Sequence, residues 1–146
     1  MLGDGRRSLS VPTPRRFGMI VVDAFNSDSV PVHLLTRQAL ALYLDRLADG
    51  GIIAINLTNR YLDLQGVVGN LAHDAHLTAL LRNDLHISKA LARQGWAGSV
   101  WVVMARDPAA LAGLSNDPRW TPLRARPESG VWTDDYSNLL GAFKRE

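Results

Sequence analysis

Apolar residues along the chain fall into short unbroken runs separated by polar turns. The run Met19-Ile20-Val21-Val22-Asp23-Ala24-Phe25 has no alternation, which is the pattern of a central strand buried on both faces of a parallel sheet. It ends in a carboxylate. Open α/β sheets bind ligands in the crevice beyond the carboxyl ends of their strands, so Asp23 occupies a chemically exposed position, and the turn-rich Asn26-Ser27-Asp28-Ser29-Val30-Pro31 forms a loop over it. A helix is predicted from the cap Thr36 to Leu47, with Leu40, Leu44 and Leu47 on one face and Gly50-Gly51 as the stop. A second buried strand then covers Gly51 to Leu57. Strand, capped helix, strand is one βαβ unit with a right-handed crossover, so both strands end on the same side and Asn56, Asn59 and Arg60 face the crevice of Asp23.

Further along, Leu64, Val67, Val68 and Leu71 give a helical period from Leu62 to about His73, weakened by Gly66 and Gly69. Leu77 to Leu81 reads as a strand, and Leu85 to Gln94 as either a helix or a loop. Ser99 to Ala105 is a strand, followed by a short helix from Asp107-Pro108 to Leu114. Asp117-Pro118 and Pro122 to Pro127 mark a long loop. Trp132-Thr133-Asp134-Asp135-Tyr136 sets two carboxylates between aromatics, where either acid suits the start of a terminal helix. Residues 1 to 17 read as irregular, with Gly3-Asp4-Gly5 as a tight turn.

Composition narrows the class. The 146 residues, 47% of them hydrophobic, suffice for a single domain spanning 1–146. No run approaches the roughly 18 apolar residues of a membrane span, and the polar start is unlike a signal peptide, so a cytoplasmic chain is expected. A formal charge of +2 is too small for a nucleic-acid surface, and Arg6-Arg7 and Arg15-Arg16 read as solvated loop residues. The absence of cysteine removes thiolate chemistry, and His73 and His76 lack a third ligand nearby, so no metal is expected. What remains is acidic: Asp23, Asp28 and, if the fold brings them in, Asp134 and Asp135, a set suited to a cationic amine.

Taken together, Gly3-Asp4-Gly5-Arg6, the stretch from Ile20 to Thr36, Asn59-Arg60-Tyr61-Leu62-Asp63-Leu64 and Trp132-Thr133-Asp134-Asp135-Tyr136-Ser137 resemble the spermidine synthase-like branch of the polyamine synthase family. The resemblance implies an α/β fold: an incomplete Rossmann-like, S-adenosylmethionine-methyltransferase-type three-layer sandwich with a mostly parallel sheet. The implied activity is transfer of an aminopropyl group from decarboxylated S-adenosylmethionine to a small polyamine such as putrescine. By the same likeness Asp4, beside Gly5, contacts the adenine, and Asp23 serves both the nucleoside and, as base, the attacking amine. Asp28, Asp134, Asp135 and Tyr136 face the substrate, and Asn26 stands where authentic spermidine synthases carry a second acid. Alternatives on the same scaffold are a methyltransferase using S-adenosylmethionine and a non-catalytic binding or regulatory domain.

The family's glycine-rich cofactor half precedes its Gly-Asp-Gly motif, so the chain is expected to be the carboxyl-terminal portion of the domain, a truncated or inactive fragment with little turnover alone. Relatives are often fused to membrane segments, though no membrane contact is expected of this chain itself. An exposed sheet edge would favour a homo-oligomer.

Overall fold

The computed structural model describes residues 4–24 and 31–144. Its elements in order are α1 (Gly5–Ser10), β1 (Phe17–Val22), a 3-10 turn (Val32–Leu34), α2 (Arg37–Arg46), β2 (Leu47–Asn56), α3 (Gln65–Asp74), β3 (Thr78–Asn83), α4 (Lys89–Arg93), β4 (Val100–Ala105), a 3-10 turn (Pro108–Leu111) running into α5 (Ala112–Ser115), and β5 (Trp120–Pro122). The Asn26–Pro31 loop expected over the crevice, with Asp28, lies outside the described residues except for Pro31, as does Gly3.

The five strands form one sheet in the order β1-β2-β4-β3-β5. β1 and β2 are parallel, with Ile20 beside Ile53 and Val22 beside Ile55, and α2 connects them as the βαβ reading requires. β4 inserts antiparallel between β2 and β3, and β5 closes the far edge antiparallel to β3. The α/β, Rossmann-like class therefore holds, and β1, β2 and β3 share one direction. The sheet is nevertheless mixed rather than mostly parallel in its pairing: among the described residues β1 with β2 is the one parallel pair.

Helices flank both faces unequally. On one side Ile20, Val22, Ile53, Ile55, Val102 and Met104 pack against Ala39, Leu40 and Tyr43 of α2, Val67, Val68 and Leu71 of α3, and Trp132. On the other, Ala54, Leu80, Val103 and Ala105 meet Leu111 and the start of α5. This thin cover does not reach β1. The expectation of a central strand buried on both faces therefore fails for β1, an edge strand with Met19 57% and Val21 54% exposed, and holds for β2, where Ile53, Ala54 and Ile55 are all buried.

Several local expectations need correction. α2 is capped by Thr36, whose hydroxyl accepts from the Ala39 amide, but it stops at Arg46 without using the glycines. Leu47 opens β2 directly, and Gly50, at φ 68°, sits in the irregular stretch where β2 slips past β1. The start of the chain is not wholly irregular: Asp4 caps α1 by accepting from the Arg7 amide. Arg46, 8% exposed, binds the end of α1 and the residues after it by donating to the carbonyls of Leu9, Val11 and Thr13. The segment 85–94 contains the short helix α4, and the expected long loop contains β5.

Gly66 and Gly69, which weaken the helical pattern of α3, have a packing reason. A Cβ at Gly69 would lie 2.4 Å from the Arg124 carbonyl oxygen, and one at Gly66 2.4 Å from the Ser129 hydroxyl. The next residue on that face, Asn70, clamps the same passing segment: its amide donates to the carbonyls of Arg126 and Gly130 and accepts from the Arg126 amide, each at 2.7 Å.

Candidate active site

Two hydrogen-bonded sets stand at the end of the sheet where β1 and β2 terminate. The first gathers around the N-terminus of α2. Arg6 grips Asp134 with two nitrogens, at 2.8 and 2.5 Å, and also donates to the His33 carbonyl. The Thr36 hydroxyl donates to the same carboxylate at 2.7 Å, the Asp134 amide donates to Gln38, and the Arg37 amide donates to the Trp132 carbonyl. A carboxylate at the positive end of a helix, held by a fork of guanidinium donors, is electrostatically stable there. Accordingly the Arg6 guanidinium, followed by the Thr36 hydroxyl, holds the Asp134 carboxyl below its ordinary range. The segment 132–134 is thus strapped across the start of α2, and Asp134 does not begin a terminal helix; Thr133 and Tyr136 instead close a turn on each other.

Asp4 belongs to the same neighbourhood. One oxygen accepts the Arg7 amide at 2.9 Å and the other lies 3.0 Å from His33 Nε2. The Arg7 amide, with His33 adding to it, holds this carboxyl low. Beside it is a recess of about 470 Å³ lined by Asp4, Arg6, Arg7, Ser10, His33, Gln38 and Leu42. Among the described residues Leu42 is the single apolar side chain in that lining, and no aromatic ring of theirs lines it to stack on a base. Each Asp4 oxygen already has a donor, and a Cβ at Gly5 would meet nothing within 4 Å, so no close approach demands glycine there. The described residues alone do not make an adenine cradle.

The second set is a line that ends on Asp23. The Val100 amide donates to the Thr58 hydroxyl at 2.9 Å, and that hydroxyl and the Thr58 amide both donate to Asn56 Oδ1, at 2.5 and 2.9 Å. With its carbonyl so occupied, the Asn56 amide turns its NH₂ outward and donates to Asp23 Oδ1 at 2.8 Å. Asp23 is exposed at the strand end, and its second oxygen has no partner among the described residues. Asn56 therefore joins Asp23 as its sequence position suggested. Asn59 spends its side-chain oxygen on the Tyr61 and Leu62 amides, and Arg60 lies over the Tyr61 ring at 5.6 Å.

The structure thus brings Asp4 to the Asp134 set and Asp23 to Asn56, with no side-chain contact joining the two sets among the described residues. Asp135 and Tyr136 are exposed on their turn. Arg6 and His33 carry contacts that the sequence did not assign to them. An acid ahead of Gly-Arg-Arg is a capping signal for α1, but nothing local announces that Arg6 meets an aspartate 128 residues away. No three metal-binding side chains gather among the described residues. No helix among them is long and apolar enough to cross a membrane.

No family model matches the chain, and no curated protein does. Among solved structures, the crystal structure of MnmC2 from Aquifex aeolicus matches over 86% of this chain, at 16% identity and a TM-score of 0.47. The match covers 38% of that protein, so this chain spans well under half of its length.

Proposed function

We propose that the chain carries the amine-binding carboxylate of an aminopropyltransferase-like centre, with Asp23 as the group that takes the acceptor amine. The observation behind this reading is the line from Val100 through Thr58 and Asn56, which pins one Asp23 oxygen and leaves the other open at the end of β1. An ammonium meeting that oxygen forms a charge-assisted hydrogen bond. For the amine to act as a nucleophile a proton must leave it first, so a carboxylate in contact either accepts that proton or orients the neutral amine. No step is assigned to the nucleoside, because the described residues around Asp4 do not by themselves cradle one. Asp134, already held by Arg6 and Thr36, positions the strap over α2 and is not assigned to substrate.

Titration of the chain with putrescine at constant ionic strength, followed by nuclear magnetic resonance, tests the reading. Saturable shifts are expected at the Ala24 amide and the Asn56 side-chain NH₂, abolished in Asp23→Asn and retained in Asp135→Asn. Shifts that persist in Asp23→Asn, or none up to millimolar putrescine, would overturn it.

A further inference from the structure

β3 and β4 are antiparallel neighbours, which a turn of two residues can join. The chain instead leaves the sheet at Asp84 and returns at Ser99, forming an arm around α4. The Asp84 amide donates to the Ser99 carbonyl, and a Cβ at Gly98 would lie 2.7 Å from the Leu85 carbonyl oxygen, so the neck of the arm is closed. Its head is capped at both ends. Ser88 accepts from the Leu91 amide, and beyond Gly95, at φ 85°, the Gly95 amide donates to the Ala92 carbonyl and the Trp96 amide to that of Leu91. These are the two bonds of a Schellman motif, and they set Trp96 beside Leu91. Every residue from Ser88 to Ala97 is exposed, with Trp96 at 64% and Leu91 at 41%, and among the described residues no hydrogen bond ties 85–98 to anything outside the arm except Asn83. Lys89 and Arg93, four apart, share the helix face opposite Leu91. No acid occurs from Leu85 to Arg106, and Asp84 is already paired with Arg82.

We propose that this arm docks the chain on an anionic lipid surface, with Trp96 and Leu91 entering the headgroup layer and Lys89 and Arg93 meeting its negative charges. An apolar face of Trp and Leu opposite a face of Lys and Arg is the makeup of helices that lie in a membrane interface, where indole rings settle at the headgroup level. Long cationic stems reach from such a helix to the charged layer. Charge complementarity selects the occupant, because two cations that no acid offsets each add about fivefold to binding at an anionic leaflet. A protein occupant would need either a strand to pair or an acidic groove to receive the arm. The arm offers no strand edge, since its main chain is capped at both ends of α4, and it is convex. The contact is with the surface alone, as no helix among the described residues is long and apolar enough to cross a membrane. Such contact leaves no trace in a search for apolar runs, because it needs two apolar side chains rather than the roughly 18 of a span. The inference is independent of the role proposed for Asp23.

Co-sedimentation at low ionic strength would compare vesicles of phosphatidylcholine with vesicles of phosphatidylcholine and phosphatidylserine in equal parts, for the chain, Trp96→Ala and the double variant Lys89→Gln with Arg93→Gln. All three positions are exposed, so circular dichroism should show the variants folded. The chain is expected to sediment with the anionic vesicles and not with the neutral ones, the double variant to partition about twentyfold less and Trp96→Ala about tenfold less. Brominated lipid in the anionic vesicles should quench the tryptophan emission of the chain, and in Trp96→Phe the protein should still sediment while the quenching is lost. A chain that stays in solution with both vesicles would leave the arm to an acidic protein groove and overturn the proposal. Equal partition into both vesicles, variants that bind unchanged, or undiminished quenching in Trp96→Phe would each overturn it as well.

Discussion

The two faces of β1 are made of the same kind of residue and have opposite fates. Ile20 and Val22 are each 7% exposed beneath α2, whereas Met19 and Val21, one position away, are more than half exposed. Side-chain chemistry does not explain the difference, since all four are apolar. What differs is the layer above them. One face is roofed by α1, α2, α3 and the strap at Trp132, while the other has the Pro108–Leu111 turn and α5, which cover Ala54, Leu80 and Val103 and stop short of the edge. An apolar run states that a strand can be buried, not that something covers it.

The sharpest way to break this contrast is to truncate one side chain under each face. Trp132 is fully buried within the roofed core, so Trp132→Ala should cost about 3–5 kcal/mol. Val21→Ala should stay within about 0.5 kcal/mol, both measured by urea denaturation at concentrations where the chain is monomeric. Comparable losses at the two positions would mean that the outer face is covered within a single copy. The Trp132 indole N–H has no partner among the described residues, so the expected loss is one of packing.

That roof was only partly legible. Thr36 as a cap and the cores of β2 and β4 are local patterns that survive into the structure. Of the expected α2 stripe, however, Leu40 is buried, Leu44 is half-buried and Leu47 belongs to β2, the buried face being Ala39, Leu40, Tyr43 and Arg46. Strand direction is not local: nothing within Val100–Ala105 says that it runs against β2, so the mixed pairing was invisible. β5 is three residues long and ends in Pro122, too short for any periodicity to register. The same limit applies at the candidate site. Asp23 and Asn56 could be paired from the βαβ rule because two parallel strands must end together. Asp134 could not be given its partners, because Arg6 and Thr36 reach it across 128 and 98 residues. Gly66 and Gly69 looked like defects in a helix, and only the passing segment at Arg124 and Ser129 shows what they make room for.

Asn70 sharpens the comparison at a second level, because it fastens the segment that leads into the strap. It is 6% exposed and satisfies three main-chain groups at once. Asn70→Ala removes every one of those partners and leaves the Arg126 amide unmatched, which should cost about 1–3 kcal/mol. Hydrogen exchange should localise the effect, with faster exchange over residues 124–134 and no change in β3. If β3 exchanged as fast as the segment, the roof and the sheet would unfold as one unit and the clamp would have no separate role.

The smallest effect concerns acid, and its sign follows from the carboxylates that hold the roof. Asp134 is held low by Arg6 and Thr36, and Asp74 by Arg37, which grips it at 2.7 and 2.8 Å. A carboxyl whose folded value lies below its unfolded value contributes stability that is present above the unfolded value, 3.8, and fades as the pH falls through the folded one. Both groups are largely solvated, so screening keeps the contribution small. Stability measured from neutral pH downward should therefore begin to fall near pH 4 and keep falling below it. In Asp134→Asn one of the depressed groups no longer titrates, and the slope should be shallower, although the starting stability is lower. An equal slope in the variant would show that Arg6 and Asp134 gain nothing from their pairing in the folded chain, and the strap would then rest on Trp132, the Arg37 amide and the bond from the Asp134 amide to Gln38.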